Sequence, residues 1–314
     1  MSAQRDVIFS AGMPTGDAVH IVRRRFVGAP GPRVAIVAGI RGDTPEGVRV
    51  AHKVASLLEL HHDALRGTVD IYPCVNPLAA HRGERYWPFF SQDLNRCFPG
   101  RLEGHAPDRV AYTLTEEVRD AAQVIELRGA NPAFSEAPQA HVRARDTQAA
   151  DLARHANVNV VWARQPGPAA GSTFAWQHPN TLVLEGGTGN RLQPKVGVAL
   201  TEGVLNVLNV LGVLPDAILP FHWATITRPL MVGDDRVHRV RAVAGGLFLP
   251  SRGVWDEVEA GEVIGEIIEA TAGEPIETIR APASGRILAM REQPVVLPGS
   301  MLARVVVTAT QESA

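Results

Sequence analysis

The sequence contains little that would point to an oxidised, membrane-bound or nucleic-acid-binding protein. It has only two cysteines among 314 residues, Cys74 and Cys97, so a disulfide-stabilised scaffold is not expected. No apolar run is long enough to cross a bilayer, and the polar residues after Met1 do not form a signal core. Basic residues (31) nearly balance acidic residues (33), so no overall field favours nucleic acid or an anionic membrane. We therefore expect a cytoplasmic protein with free thiols and with neither nucleic acid nor a membrane as partner.

The apolar patterns divide the chain into two parts. Up to about residue 214, short β-branched runs such as VAIVAGI (34–40) alternate with helical periods such as PEGVRVAHKVASLLELHHDAL (45–65). This alternation predicts an α/β domain with a largely buried sheet, which we place at residues 1–222. From there on only strand-like pieces separated by turns remain, and they predict a small all-β domain over residues 223–314. The proline-containing stretch 212–223 is the predicted linker.

A series of short motifs carries a family resemblance. In chain order they are GIRGDTPEG (39–47), VNP (75–77), Arg85, DLNRCFPG (93–100), LEGG (184–187), AGGLFLP (244–250), VEAGEVIGEI (258–267) and RAPASGRIL (280–288). In this order and spacing they resemble the aspartoacylase/succinylglutamate desuccinylase family, whose catalytic domain is related to zinc carboxypeptidases. The resemblance implies a mixed sheet flanked by helices, followed by a small C-terminal all-β domain. It also implies a homo-oligomer.

The resemblance assigns roles to four residues on the substrate side of the expected site. Glu185 matches the family's general base, and Arg85 matches the arginine that polarises the scissile carbonyl. Asn95 and Arg96 match the pair that holds a substrate carboxylate. Without the resemblance, DLNR would also fit a turn or a helix cap, and Arg96 a framework salt bridge. Glu185 would equally fit a buried structural carboxylate paired with an arginine, and close arginines weaken a carboxylate as a base.

The sequence departs from the family at the three positions that the resemblance assigns to zinc. Arg41 stands in place of a histidine, Thr44 in place of a glutamate, and Arg128 in place of a second histidine. A guanidinium stays protonated and offers no lone pair, so neither arginine can ligate a cation. A catalytic zinc needs three nitrogen, sulfur or carboxylate ligands and an open position for water. We therefore predict neither a metal nor another cofactor.

Other residues do not rebuild a metal site in the sequence. The segment ELHHD (59–63) holds two histidines, but adjacent side chains on a helix point about a hundred degrees apart and chelate poorly. His52, His81 and His178 are scattered single residues, and no HExxH or CxxC pattern is present.

The replacement leaves the predicted pocket cationic. Arg41 and Arg128 supply two positive charges where a zinc ion would stand, and Arg85 and Arg96 add two more. Guanidinium groups suit carboxylate and phosphate groups, so we predict a small anionic, carboxylate-bearing ligand held by Asn95, Arg96, Arg41, Arg128 and Thr44. Activation of water by a Lewis acid is not available to these side chains.

Three functional hypotheses follow. The first is a metal-free enzyme that hydrolyses, or transfers the acyl group of, a carboxylated N-acyl amino acid or a related amide or ester, with Glu185 and Arg85 as catalytic residues. The second is an inactive binding or regulatory protein that senses an anionic metabolite in the same pocket. The third is a zinc amidohydrolase with ligands that the sequence does not reveal. The C-terminal domain has no lysine, since none follows Lys195, which argues against a biotinyl or lipoyl carrier. The resemblance implies instead that it shields the cavity or builds a subunit interface.

Overall fold

A computed structural model of the protein describes residues 3–216 and 227–308. The predicted linker lies partly outside these residues, and the predicted domain boundary at 222/223 lies wholly outside them. The α-helices of the described residues are α1 (Pro45–Leu60), α2 (Pro77–Arg82), α3 (Ala106–Val118), α4 (Thr147–Ala153) and α5 (Pro194–Val210). No helix within 3–216 or 227–308 has the length and apolar content needed to cross a membrane.

The strands of the described residues are β1 (Gln4–Gly12), β2 (Ala18–Val27), β3 (Ala29–Ala38), β4 (Arg66–Tyr72), β5 (Gln123–Leu127), β6 (Phe134–Arg143), β7 (Val160–Arg164), β8 (Thr181–Thr188), β9 (Leu230–Gly233), β10 (Val237–Arg241), β11 (Gly246–Pro250), β12 (Glu257–Val258), β13 (Val263–Ile268), β14 (Pro275–Arg280), β15 (Gly285–Arg291), β16 (Val295–Val296) and β17 (Met301–Val306).

Most of these strands form one large mixed sheet. Its main path runs β1-β2-β4-β3-β5-β8-β6-β15-β17-β10, with β7, β9 and β12 paired beside it. The neighbours β4, β3, β5 and β8 are parallel, whereas β2 and β6 run antiparallel to the strands they flank. A second, antiparallel sheet contains β14, β13, β11 and β16. The predicted fold class, a mixed sheet flanked by helices and followed by C-terminal β structure, is confirmed.

The centre of the sheet is buried on both faces. Residues 34–38 of β3 are all buried, as expected for a parallel strand covered by helices. Helix α1 packs its buried face, which includes Val50, Val54 and Leu58, into the same core as β3 and β5. Gly47 permits this close approach, since a Cβ there would lie 2.5 Å from the carbonyl oxygen of Leu127. The start of α1 is thereby fixed beside the end of β5, where the predicted site residues cluster.

Two parts of the sheet were not anticipated from the sequence. The hairpin of β1 and β2 precedes the α/β pattern, and its half-exposed, arginine-rich strands lack the apolar runs that mark a buried strand. The C-terminal strands also join the large sheet, because β15 pairs with β6 and β9 pairs with β7. Part of the predicted C-terminal domain therefore extends the main sheet, and the rest forms the second one.

Candidate functional site

A cavity of about 370 Å³ lies where β3 and β5 end. Arg41 follows β3 and Arg128 follows β5 directly, and the carboxyl ends of parallel strands are where α/β folds bind ligands. Strands β6, β7 and β8, the loop after β7, and Arg85, Asn95 and Arg96 also contribute to the wall. The six arginines that line the cavity are Arg41, Arg85, Arg96, Arg128, Arg143 and Arg164.

Arg41 is held by its neighbours at the start of α1. Its Nε and Nη2 donate to the two carboxylate oxygens of Asp43 at 3.0 and 2.8 Å, and its Nη1 donates to Asn131 at 2.9 Å. Thr44 precedes the first turn of α1, and its hydroxyl donates to the carbonyl of Arg41 at 3.1 Å. Thr44 is buried and is not among the lining residues, so it shapes the backbone under Arg41 rather than contacting a ligand.

Arg128 forms an ion pair with a buried carboxylate beside the cavity. Its Nε and Nη2 donate to the two oxygens of Glu126 at 2.5 and 2.7 Å, and Glu126 is only 1% exposed. The remaining Nη1 lies 3.9 Å from Glu185. Burial alone would lower the pKa of Arg128, but the two carboxylates outweigh it and raise that pKa further. Arg128 is therefore a permanent cation with one nitrogen left for a ligand.

Arg85, Asn95 and Arg96 line another part of the cavity wall, and the last two belong to the motif DLNR (93–96). Arg85 donates twice to one oxygen of Asp93, at 2.6 and 2.8 Å. The side-chain oxygen of Asn95 accepts from the main-chain N–H of Phe174 at 3.0 Å, and the amide nitrogen makes no hydrogen bond within the described residues. Among the described residues, the guanidinium of Arg96 donates only to the carbonyl of Asn95, at 2.6 Å. Asp93 caps this turn by accepting from the N–H of Asn95, as a turn motif predicts, and Asn95 and Arg96 also line the cavity.

Glu185 is paired with a histidine that sequence analysis did not select. Its Oε1 lies 2.8 Å from Nε2 of His141, which is 8% exposed and lines the cavity. Glu185 is not itself a lining residue, but it contacts two residues that are, His141 and Arg128. Burial alone would raise the pKa of the Glu185 carboxyl, but the contacts with His141 and Arg128 hold it well below its usual range. Burial lowers the pKa of His141, because it disfavours the charged imidazolium. When the imidazole is neutral and Glu185 is ionised, Nε2 of His141 is the donor in this contact.

The other nitrogen of His141, Nδ1, lies on the far side of the ring from Glu185. Nδ1 is buried and makes no hydrogen bond to any described residue. Leaving a buried acceptor without a hydrogen bond costs roughly 1–3 kcal/mol, so such atoms usually bind a water or a ligand. The imidazole is held from the other side by the ring of Trp162, whose centroid is 5.4 Å away.

The residues that sequence analysis missed lie on β6, β7 and the loop before β6. They are Asn131, His141, Arg143 and Arg164. No motif marks them, because His141 is a single histidine and the two arginines stand in strands that carry no family signature. An alternation of polar residues at 139, 141 and 143 is the only local sign that one face of β6 is not core.

The cavity carries a surplus of positive charge. Arg41, Arg85 and Arg128 each have a carboxylate within 3.0 Å. Arg96 and Arg143 bond only main-chain carbonyls among the described residues, and Arg164 has Asp234 no closer than 3.9 Å. An anionic ligand would neutralise this surplus.

The three positions that the family resemblance assigns to zinc do not fit a metal ion. Arg41 and Arg128 present only N–H donors, and the Thr44 hydroxyl is engaged with a carbonyl. Throughout residues 3–216 and 227–308, no group of three or more His, Cys, Asp or Glu side chains is placed to hold a metal.

Comparisons with known proteins agree with this architecture. The structure is similar to that of a succinylglutamate desuccinylase/aspartoacylase from Rhodobacter sphaeroides, with a TM-score of 0.83 and 23% identity over 99% of this chain and 97% of the other. It is also similar to the product-bound ectoine utilization protein EutE (DoeB) from Ruegeria pomeroyi, with a TM-score of 0.84 and 19% identity over 98% and 96%. At such identities the likeness concerns the fold.

Sequence comparisons identify the family. The chain is 30% identical over 107 residues to N-alpha-acetyl-L-2,4-diaminobutyric acid deacetylase from Halomonas elongata, a match that spans 34% of this chain and 30% of that relative. The family model of the succinylglutamate desuccinylase/aspartoacylase catalytic domain matches residues 30–211, more than half of the chain. This protein therefore belongs to the succinylglutamate desuccinylase/aspartoacylase family.

Proposed function

We propose that this protein binds and cleaves a small carboxylated N-acyl amino acid, or a related amide or ester, without a metal ion. One observation carries the proposal: a single cavity brings free guanidinium and amide donors together with a buried His–Glu pair that has an unsatisfied nitrogen. Membership of a family of deacylases and the local match to an N-acetyl-diaminobutyrate deacetylase support a reaction at a C–N bond. The cytoplasmic location and the homo-oligomer remain predictions.

Binding is assigned to the donors that the protein leaves unused. The amide nitrogen of Asn95 and the guanidinium of Arg96 would hold the ligand's carboxylate, as the family resemblance implies. Arg41 and Arg128 would add their guanidinium charges to the pocket; Asp43 and Asn131 hold all three nitrogens of Arg41, whereas Glu126 holds two of the three nitrogens of Arg128. A planar guanidinium fixed in this way gives orientation as well as charge.

Proton transfer is assigned to His141, with Glu185 as its positioning residue. This changes the expectation that Glu185 is itself the base, because Glu185 is not on the cavity wall and the pKa of its carboxyl lies well below the usual range. With Nε2–H donated to Glu185, Nδ1 of His141 carries a lone pair, and it would take a proton from water once ligand binding exposes this nitrogen, which is buried in the free protein. The water oxygen then bonds to the carbonyl carbon. When the C–N bond breaks, the same proton passes to the leaving nitrogen.

The developing oxyanion is assigned to Arg85. Its Nε and Nη2 share one oxygen of Asp93, and it lines the same cavity as His141. A well-placed donor to an oxyanion contributes about 100-fold or more to the rate. An amine in place of water would give acyl transfer through the same steps.

The test is turnover by protein purified without chelators and then dialysed against a chelator. A panel of N-acetyl and N-succinyl amino acids serves as substrate, and metal content is measured by mass spectrometry. We expect turnover that survives chelation, a kcat lowered about 100-fold or more in His141→Gln, and a smaller loss in Glu185→Gln. His52→Gln, on the exposed face of α1, is the matched control and should leave kcat unchanged. Stoichiometric zinc with chelator-sensitive turnover would overturn the metal-free proposal and support an amidohydrolase with unrecognised ligands.

A second candidate is a binding protein that senses an anionic metabolite and performs no chemistry. The observation in its favour is that the pKa of Glu185 and the pKa of His141 are both lowered, which makes each a weaker base. Calorimetric binding of panel members by the parent protein, with no turnover of any of them, would support this candidate over the enzyme.

A further inference from the structure

A series of polar side chains connects the cavity with the C-terminal part of the chain. Arg41, on the cavity wall, donates from Nη1 to the side-chain oxygen of Asn131 at 2.9 Å. The side-chain nitrogen of Asn131 lies 3.5 Å from Oε1 of Glu136. Arg304 of β17 donates from Nη1 to the other oxygen of Glu136 at 3.3 Å. We call these four residues the polar relay.

Strand pairing places Arg304 beside Glu136. Both residues lie directly opposite Ala289 of β15, with Glu136 in β6 on one side and Arg304 in β17 on the other. Side chains at directly opposite positions project from the same face of a sheet. The methyl group of Ala289 leaves the space between them open, so the long Arg304 side chain reaches the carboxylate across it. This ion pair therefore exists only because the C-terminal strands join the main sheet.

Glu136 and Arg304 compensate each other's charge. The Glu136 side chain is fully buried, and within residues 3–216 and 227–308 Arg304 is the only cation that forms an ion pair with it. Glu136 is likewise the only carboxylate paired with Arg304 in that part of the chain. Burial and the neighbouring charge of Glu185 raise the pKa of Glu136, and Arg304 opposes this shift. Arg304 therefore stabilises the ionised form of Glu136.

An ionised Glu136 determines how the amide of Asn131 is turned. The amide lies between the guanidinium of Arg41, which can only donate, and a carboxylate, which can only accept. The amide oxygen must therefore face Arg41 and the amide nitrogen must face Glu136, which is the observed orientation. A protonated Glu136 can also donate, so it would remove this constraint and deprive Arg41 of a fixed acceptor.

Asn131 connects Arg41 to a different part of the fold from its other partner. Asp43, which accepts from Nε and Nη2 of Arg41, stands two residues away in the same loop. Asn131 belongs to the segment before β6, so the guanidinium is held from two sides. These contacts use three of the five N–H groups of Arg41 and leave two for a ligand. Donors fixed in this way bind an anion without a further loss of side-chain entropy.

We propose that Arg304 is a positioning residue for the cavity. Its charge keeps Glu136 ionised, and Glu136 turns the amide of Asn131. Asn131 in turn holds the guanidinium of Arg41 in the orientation that receives an anionic ligand. The benefit to a ligand rests on the proposed function, whereas the orientation of Arg41 does not. A residue of the C-terminal β structure thereby takes part in building the site.

The direct test observes Arg41 in the ligand-free protein by NMR. Labelling with ¹⁵N-arginine makes the side-chain Nε–H signals visible, and the signal of Arg41 is assigned by its absence from Arg41→Lys. Arg304→Met keeps much of the apolar length and removes the charge, so it should shift the Arg41 signal and speed up its exchange with water. Arg304→Lys retains the charge and should keep the signal closer to its parent position. Arg239→Met is the matched control, because Arg239 lies directly opposite Arg304 in β10 but is exposed.

Calorimetric binding of succinate, a small dianion, tests the consequence for a ligand. Arg304→Met and Glu136→Gln should each weaken binding about five- to ten-fold, as expected for the loss of an oriented charge-assisted donor, and Arg304→Lys should restore part of it. A double-variant cycle separates positioning from general destabilisation. In protein that already carries Arg41→Met, adding Arg304→Met should weaken binding by less than about two-fold, because the residue it positions is gone.

Two results would overturn the positioning role. One is an Arg41 signal that does not change in Arg304→Met, or that changes as much in Arg239→Met. The other is a loss of succinate binding on Arg304→Met that is as large in the Arg41→Met background as in the parent. Because the NMR measurement requires no ligand, a parent protein that neither binds nor turns over any carboxylated compound would count against the proposed function and not against this role.

Discussion

Removing Arg128 would leave a buried carboxylate without its counter-ion, and the consequence can be worked out in advance. In the native protein, Arg128 donates to both oxygens of Glu126, and these are the only side-chain hydrogen bonds of that carboxylate within the described residues. Glu126 lies in β5 between two parallel neighbours and is 1% exposed. The perturbation is Arg128→Met, which keeps much of the apolar length of the side chain and removes the charge.

The expected cost depends on pH. Breaking a buried pair by removing one partner costs about 3–5 kcal/mol, because the other charge is stranded. The unpaired carboxylate can instead become neutral by taking up a proton. For an ordinary glutamate, the free energy of this protonation is about 3.7 kcal/mol at pH 7 and about 1 kcal/mol at pH 5. The Arg128 side chain is 23% exposed, so water reaches the vacated space and moderates the penalty. We therefore expect a loss of about 2–4 kcal/mol at pH 7, shrinking to about 1 kcal/mol at pH 5.

The assay is urea unfolding at both pH values, followed by circular dichroism. Adding Glu126→Gln to Arg128→Met removes the stranded charge and should recover most of the lost free energy of unfolding. Arg154→Met breaks an exposed pair with Asp151 and should cost less than about 1 kcal/mol at either pH. A loss below about 1 kcal/mol at pH 7, a loss independent of pH, or no recovery in the double variant would show that the Arg128–Glu126 pair is not the source of this stability.

Three further predictions address the site and its support. Arg41→His, Thr44→Glu and Arg128→His together should bind zinc close to stoichiometrically after dialysis, with each double variant at least about ten-fold weaker; a metal-free triple variant would contradict the assignment of these positions. Gly47→Ala should destabilise the protein by about 1–3 kcal/mol in thermal unfolding, because its Cβ would meet the Leu127 carbonyl at 2.5 Å, whereas Gly171→Ala, with no atom within 4 Å, should be neutral. Burial lowers the pKa of His141 in the folded protein below the value of about 6.5 expected in the unfolded chain. As the pH falls, the unfolded chain therefore takes up this proton before the folded protein does. The free energy of unfolding associated with a neutral His141 is thus present above about pH 6.5 and is lost below it. His141→Gln should therefore flatten the fall in stability from pH 7 to pH 5, and parallel curves for variant and parent would contradict this.

The central sheet was predictable because its strands are buried on both faces. Such strands show as continuous apolar runs, as at 34–40, and the helices between them show the helical period. The hairpin β1–β2 was missed for the opposite reason, since strands at the edge of a sheet need no such runs. Which C-terminal strands would join the main sheet was also hidden, because pairing of β15 with β6 links residues about 150 positions apart.

What the sequence determined by itself is the chemistry that single side chains carry. The family, the cationic character of positions 41 and 128, and their inability to ligate a metal follow from residue type and order alone, since a guanidinium has no lone pair in any fold. Which of these groups come into contact depends on how distant parts of the chain pack together. The pairing of Glu185 with His141 and the adjacency of Arg143 and Arg164 result from the register between strands that are separate in the chain. Thr44 lies off the cavity wall because it precedes α1 and its hydroxyl donates to the carbonyl of Arg41. Register is set by the burial of whole strand faces, and no local motif encodes it.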